Sequence, residues 1–239
     1  MVSAATLRLS KPPIMEALIS LTWVPPSAYG MDALKSLAEQ LADRYPAREE
    51  LRSIGGQFFF DQPDNPTATA FNVASGFKLT SADGRWVAQL RPDGLSISRL
   101  APYTCWEDVL ERAKALFEVA RCVFPDAKID RVGVRYINQI PMSSGDDLTQ
   151  YFTTTLTVSP SVNPNFAAFL LRFVLPFEAE KCVAFVTQTL ESEQSGCIFD
   201  IDVIGQAEGE PWERLEALRR IKNRIFSGTM TETALERFK

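Results

Sequence analysis

Arg131-Val132-Gly133-Val134-Arg135-Tyr136-Ile137-Asn138-Gln139-Ile140 is the stretch on which the fold turns. Val132, Val134 and Tyr136 share one side of an alternating strand, and Arg135 falls on the opposite side from Tyr136 and Asn138. The stretch follows a long helical pattern and restarts an order of elements that the chain has already run once. In the first run, Ala17, Ile19, Leu21 and Trp23 alternate as a strand. Asp32 is expected to cap a helix with Leu34, Leu37, Ala38, Leu41 and Tyr45 as its apolar stripe, stopped by Pro46. A short strand at 58–60 and a longer one at 68–79 follow. Asp83-Gly84 and Pro92-Asp93-Gly94 are turn signals around strands at 85–91 and 95–100. Thr104-Cys105-Trp106-Glu107 has the form of a capping box. It opens a helix with Val109, Leu110, Ala113, Leu116, Phe117 and Ala120 inward, ending before Pro125.

After the 131–140 strand, Asp146-Asp147 is placed to cap a short helix. Strands are expected at 166–175, 182–190 and 197–204, with Ser195-Gly196 turning into the last. Pro211 opens a helix at its first position, with Trp212, Leu215, Leu218, Ile221 and Ile225 inward and Gly228 at its end. Residues 229–232 form a further cap for a short terminal helix. Both long helices begin Trp-Glu. The order predicts an α+β fold made of a duplicated β-α-β(3–4)-α unit, residues 1–127 and 128–239. The two halves would share one curved antiparallel sheet as a single structural domain. Two long helices would pack on one face, a saddle or helix-grip-like plan.

The 239 residues contain no histidine. Histidine is the one side chain whose unperturbed pKa lies in the physiological window, so its absence excludes Ser-His-Asp triads, Cys-His pairs and H-E-x-x-H zinc sites. No P-loop, G-x-G-x-x-G fingerprint or G-x-S-x-G elbow occurs either. A 46% hydrophobic and 23% charged composition is that of an ordinary globular protein, and the net charge of −5 disfavours nucleic acid as a partner. Cys105, Cys122, Cys182 and Cys197 have no metal-site spacing and are expected as reduced core thiols. The first residues lack the apolar core of a signal peptide, and no run approaches the ~20 residues that span a bilayer. The expectation is a cytoplasmic protein with no membrane association, no resident metal and no cofactor.

Three places could carry chemistry. Asp200-Ile201-Asp202 puts two carboxylates on one side of a strand, about 6.5–7 Å apart, as needed to hold Mg²⁺ or to divide acid and base roles. The Gly-Ser element of polymerase-β-like nucleotidyltransferases is not at the required distance upstream. Arg135 in mid-strand needs a carboxylate partner or water. Glu16, Arg135, Asp200 and Asp202, with Asn138 nearby, are therefore expected as an ionic or binding cluster across adjacent strands. Arg219, Arg220 and Arg224, within a basic run that also holds Arg214 and Lys222, form a candidate basic patch on the last long helix.

Residues 11–17 (Lys-Pro-Pro-Ile-Met-Glu-Ala), residues 131–138 and Phe199-Asp200-Ile201-Asp202 carry a resemblance, with support from Lys222-Asn223-Arg224-Ile225-Phe226 and Thr231-Glu232. Over nearly its whole length the chain resembles a sporadically distributed family of uncharacterised prokaryotic proteins. The resemblance brings no established active site. Its patchy distribution implies a gene of mobile or defence-associated loci. With no competent catalytic set and a large patterned core, the expected role is a non-catalytic binding or regulatory protein acting on another protein, a second copy of the chain being one candidate. Two alternatives stand: a metal-dependent phosphoryl or nucleotidyl transferase using Asp200 and Asp202, and a small-ligand sensor with a cavity between sheet and helices.

Overall fold

Strand β1, Ile14–Trp23, sits at the centre of the molecule because both of its edges are paired. The structure, a computed structural model, describes residues 9–24, 30–59, 67–142, 145–156, 159, 161, 167–190 and 196–239, with backbone alone at 56–59 and 67–71. On one side of β1 come β5 (Gly94–Leu100), β4 (Trp86–Arg91), β3 (Thr67–Thr80) and β2 (Ala47–Phe59). On the other come β6 (Ile129–Ile140), β9 (Cys197–Gln206), β8 (Cys182–Leu190) and β7 (Phe169–Phe177). Every pairing is antiparallel, giving one curved nine-stranded sheet. This is the α+β architecture that the alternation predicts.

The sheet has one dry face. Ala17, Ile19 and Leu21 of β1 are buried with Val134 and Tyr136 of β6, Phe199, Ile201 and Val203 of β9, and Ala184 and Val186 of β8. Period 2 places all of them on the same side. Helices α1 (Met31–Gln40), α2 (Trp106–Val123) and α3 (Pro211–Thr229) cover that side. They bury Leu34 and Leu37 from α1, Val109, Ala113 and Leu116 from α2, and Leu215, Leu218 and Ile221 from α3. Each fully buried large aliphatic side chain contributes roughly 1.5–3 kcal/mol. The α2 and α3 helices also tie to each other: the Phe117 and Trp212 rings meet edge-on at 5.8 Å, and the Trp106 indole N–H donates to Glu216. A final short helix, α4 (Glu232–Glu236), is capped by Thr231, whose hydroxyl accepts from the Ala234 N–H.

Several boundaries differ from expectation. Strand β2 runs for 13 residues, where only 58–60 was expected as strand. Arg48, Glu49, Glu50 and Arg52 hide it, and charges of this kind suit an edge strand because they discourage further pairing. Residue 60 lies outside the described residues, as do 166 and Ser195. Helix α1 is capped by Gly30, and Asp32 lies in its first turn. Cys105, not Thr104, is the cap of α2, so the Thr104–Glu107 box does not form; Asp108 accepts from the Thr104 and Cys105 side chains instead. Gly228 does not end α3, which continues through Thr229 to an extended Met230. The short helix after Asp146-Asp147 is a three-residue 3-10 turn, Leu148–Gln150, with Asp147 accepting from the Thr149 N–H at 2.9 Å.

Strand β3 carries a register shift opposite Leu51/Arg52, and Gly76 beside it has φ +153°. A Cβ there would overlap the Leu90 carbonyl oxygen of the neighbouring strand. Neither the conformation nor the backbone contact can relax cheaply. Gly76→Ala is therefore expected to destabilise the protein by about 2–4 kcal/mol, read as a lower urea midpoint with an unchanged slope.

Candidate functional site

The face of the sheet that carries no helix among the described residues, hereafter the helix-free face, holds the Arg135 cluster that the sequence singles out. Arg135 on β6 lies directly across from Asp202 on β9 and from Leu18 on β1. Its guanidinium nevertheless reaches diagonally to Asp200. Nε donates at 3.0 Å and one terminal nitrogen at 2.7 Å, a two-pronged pair that matches the planar fork of arginine. Hydrogen bonding to Asp200 raises the Arg135 pKa, and the charges of Asp202 and Glu16 act in the same direction. Glu16 sits across from Ile137 on the same face and acts on Arg135 at longer range, without forming an ion pair among the described residues.

Asp202 is left over. Arg135 is committed to Asp200, so Asp202 receives only its diffuse attraction and a weaker one from Arg172 on β7, which the sequence reading missed. Burial dominates and pushes the Asp202 carboxyl up to about 6, with the negative Asp200 pushing the same way. Arg135 and Asp200 are thus paired, Asp202 and Glu16 lie on the same face within electrostatic range of Arg135, and Arg172 acts on Asp202 from β7. Asn138 does not share that face. It faces the helices, 2% exposed, and its amide donates to the Phe199 carbonyl at 2.9 Å. Strand alternation requires this separation, because Asn138 differs from Arg135 by an odd number of positions.

Arg135→Ala removes the pair and leaves Asp200 uncompensated beside Asp202. The Arg135 side chain is 42% exposed, so solvent screening reduces its worth. A loss of about 1 kcal/mol in urea unfolding is expected, with a further rise in the Asp202 pKa measurable by NMR titration.

The basic patch is not assembled. The Arg219 guanidinium lies 5.1 Å from the Trp106 ring centre and contacts Glu216 at 3.3 Å. Arg224 lies over Phe177 and reaches Glu180 at 3.4 Å. Arg220 is exposed. Arg214 binds the carbonyls of Gln206 at 3.0 Å and Lys181 at 2.9 Å, and also that of Glu180. Arg214 and Arg224 thus clamp α3 to the β7–β8 turn and the end of β9, while Arg219 ties it to α2.

Lys222, also within the basic run, turns inward. It is 8% exposed, with its ammonium 3.7 Å from the centre of the Tyr136 ring. The Tyr136 hydroxyl in turn meets the Tyr103 hydroxyl at 3.1 Å. Burial pushes Lys222 down to about 7, and the positive Arg219 adds to the shift, while the face of the Tyr136 ring attracts the cation. Burial likewise drives both phenols upward. The four cysteines are free thiols, and burial pushes Cys197 up to about 12.

Among the described residues no group of three or more Cys, Asp or Glu side chains could hold a metal ion, and no helix is long and apolar enough to cross a membrane. The fold and site define an antiparallel sheet protein with a charged cluster on the side that no described helix covers. No protein-family model matches the chain. No curated protein matches it either. Among solved structures, a Bacillus halodurans protein described as a "putative adenylate cyclase" aligns at 14% identity over 96% of this chain and 99% of that one, with a TM-score of 0.19. At that score the likeness carries nothing about fold or activity.

Proposed function

We propose that the chain is a non-catalytic binding protein that receives a basic segment of another protein on the helix-free face of its sheet. The observation that supports this most is Asp202, a partly buried carboxylate at the centre of that face with no ion pair of its own among the described residues. A lysine or arginine from a partner would supply the missing charge. The flanks suit a protein surface too: Val73 on β3 is 52% exposed, Leu170 and Val174 on β7 are 71% and 51% exposed, and all three point to the same side. Apolar flanks around a charged centre provide both the desolvation and the registration that a protein contact needs.

The metal-dependent phosphoryl or nucleotidyl reading has less support. Asp200 spends both oxygens on Arg135, and no third ligand stands near Asp202 among the described residues. The duplicated-unit reading gains support from the strand order, β1-β5-β4-β3-β2 on one side of the β1–β6 seam and β6-β9-β8-β7 on the other, with β2 the strand that lacks a counterpart. The division near residue 128 would then fall between α2 and β6.

The test is capture from a host lysate by the wild type and by Asp202→Asn. A protein retained by the wild type and lost by the variant is the expected result. Its binding should weaken by up to about tenfold between pH 7 and pH 5, as Asp202 takes up its proton. Identical captured sets, or affinity independent of pH over that range, would refute the reading. Light scattering that shows a dimer broken by the same variant would make the partner a second copy of the chain.

A further inference from the structure

The helix-bearing face of the sheet contains a cavity of about 660 Å3 between α1, α2 and strands β4 and β5. That is the size of a site for a small organic molecule rather than for a simple ion. Arg99 and Trp86 line it from the sheet, Arg44 and Tyr45 from the turn that follows α1, and Arg112 from α2.

Arg99 is the unusual member. It takes the third inward position of β5 after Leu95 and Ile97, and it is 5% exposed. Its Nε has no hydrogen-bond partner among the described residues. The guanidinium packs against the Trp86 ring at 5.1 Å, and that of Arg112 packs on the same ring at 4.6 Å. Two cationic forks are therefore held by one indole, a rigid support.

The carboxylates in the lining do not fill the idle donor. Asp83 accepts from the Ser81 hydroxyl at 2.5 Å and the Arg85 N–H at 3.1 Å. Asp108 is occupied by the Thr104 and Cys105 side chains at the start of α2. Both are held below the usual carboxylate range, chiefly by these hydrogen bonds and secondarily by the positive field of Arg99. They are tied to their own turn and helix start. All three lining acids, Glu111 included, are exposed at the rim. A buried guanidinium with an unmet N–H is costly; the negative fields of Asp83 and Asp108 offset part of that cost, and an anion brought into the cavity would offset more.

We propose that this cavity binds a small organic oxyanion, a phosphomonoester or a carboxylate. The oxyanion sits on Arg99 and Arg112, and the body of the molecule lies against Tyr45 and Trp86. Arginine forks match either oxyanion in two-pronged fashion, and the aromatic lining suits a planar or apolar body. The site lies on the opposite side of the sheet from Asp202 and stands independently of the protein-contact reading.

Titration calorimetry with adenosine monophosphate, citrate and adenosine decides the matter. Binding of either anion, with none by adenosine, is expected; adenosine monophosphate alone points to a phosphoryl ligand and citrate alone to a carboxylate. Arg99→Met and Arg112→Gln should each weaken binding by about tenfold or more. Arg112 lies on a helix surface, so its variant keeps the test open should Arg99→Met fail to fold. Absence of heat from both anions at about 5 mM, or unchanged affinity in folded Arg112→Gln, overturns the proposal.

Discussion

Lys222→Met is expected to raise the stability of the protein at pH 7 by about 2 kcal/mol, or a melting temperature higher by about 4–8 °C. An ammonium in the unfolded chain titrates near 10.5, whereas burial brings the folded group to about 7. The folded state therefore binds fewer protons than the unfolded state between these values. The penalty is complete below about pH 7 and fades as pH rises toward 10.5. Attraction to the Tyr136 ring returns part of the cost, which is why the expected gain is smaller than the full shift implies. Methionine keeps the length and ring contact of the side chain without the charge. Wild-type stability should climb between pH 7 and pH 10 by chemical denaturation, and the variant should lose that slope. A variant less stable than wild type at pH 7 would show that the ammonium is held charged by its ring contact.

Asp202→Asn should behave in the opposite sense along the pH axis. The folded carboxyl titrates near 6 and the unfolded one near 3.8. Here the folded state binds more protons in the interval, so stability falls as pH rises from about 4 to 6 and stays low above it. Removing the charge should stabilise the protein by about 1–2 kcal/mol at pH 7, after allowance for partial exposure, and by almost nothing at pH 4. The same substitution should abolish partner capture. A gain in stability together with a loss of binding is the signature of a group kept for contact rather than for folding. Loss of stability at pH 7 would assign Asp202 a structural ion pair instead.

Most of the sheet could be read from alternation. Strands β1, β6, β8 and β9 each carry the two-residue pattern of a sheet with one dry face, and the structure places them as that pattern requires, while β4 and β5 are in addition buried at Val87 and Ser98 on the other face. Strand β2 could not be read this way, because an edge strand is decided by its neighbour's backbone and not by its own apolar residues. The helix caps failed for a related reason. Thr104 and Asp32 have the right chemistry, but the cap of α2 is Cys105, one residue after Thr104, and the cap of α1 is Gly30, two residues before Asp32. The cluster at Arg135 was legible because a cation in mid-strand demands a partner. Two other signals were present and went unread. Arg99 continues the inward series of Leu95 and Ile97, and Lys222 lies four residues from both Leu218 and Phe226 on the buried stripe of α3. In each, a charged residue on an apolar periodicity marked a group whose environment had to be built by distant parts of the chain. The closure of the cavity around Arg99 depends on α1 and α2 meeting β4 and β5, which no local pattern encodes.

The place of β1 at the seam has a consequence for biosynthesis. Ile19 pairs with Ile97 on one side and with Val134 on the other. As the nascent chain leaves the ribosome, β5 can close the first edge while the second stays bare until β6 has emerged. During that interval a strand of the future core presents unpaired N–H and C=O groups, a template for any extended segment nearby. A fragment ending at residue 127 would carry that open template permanently, and it should self-associate through β1 where the intact chain does not.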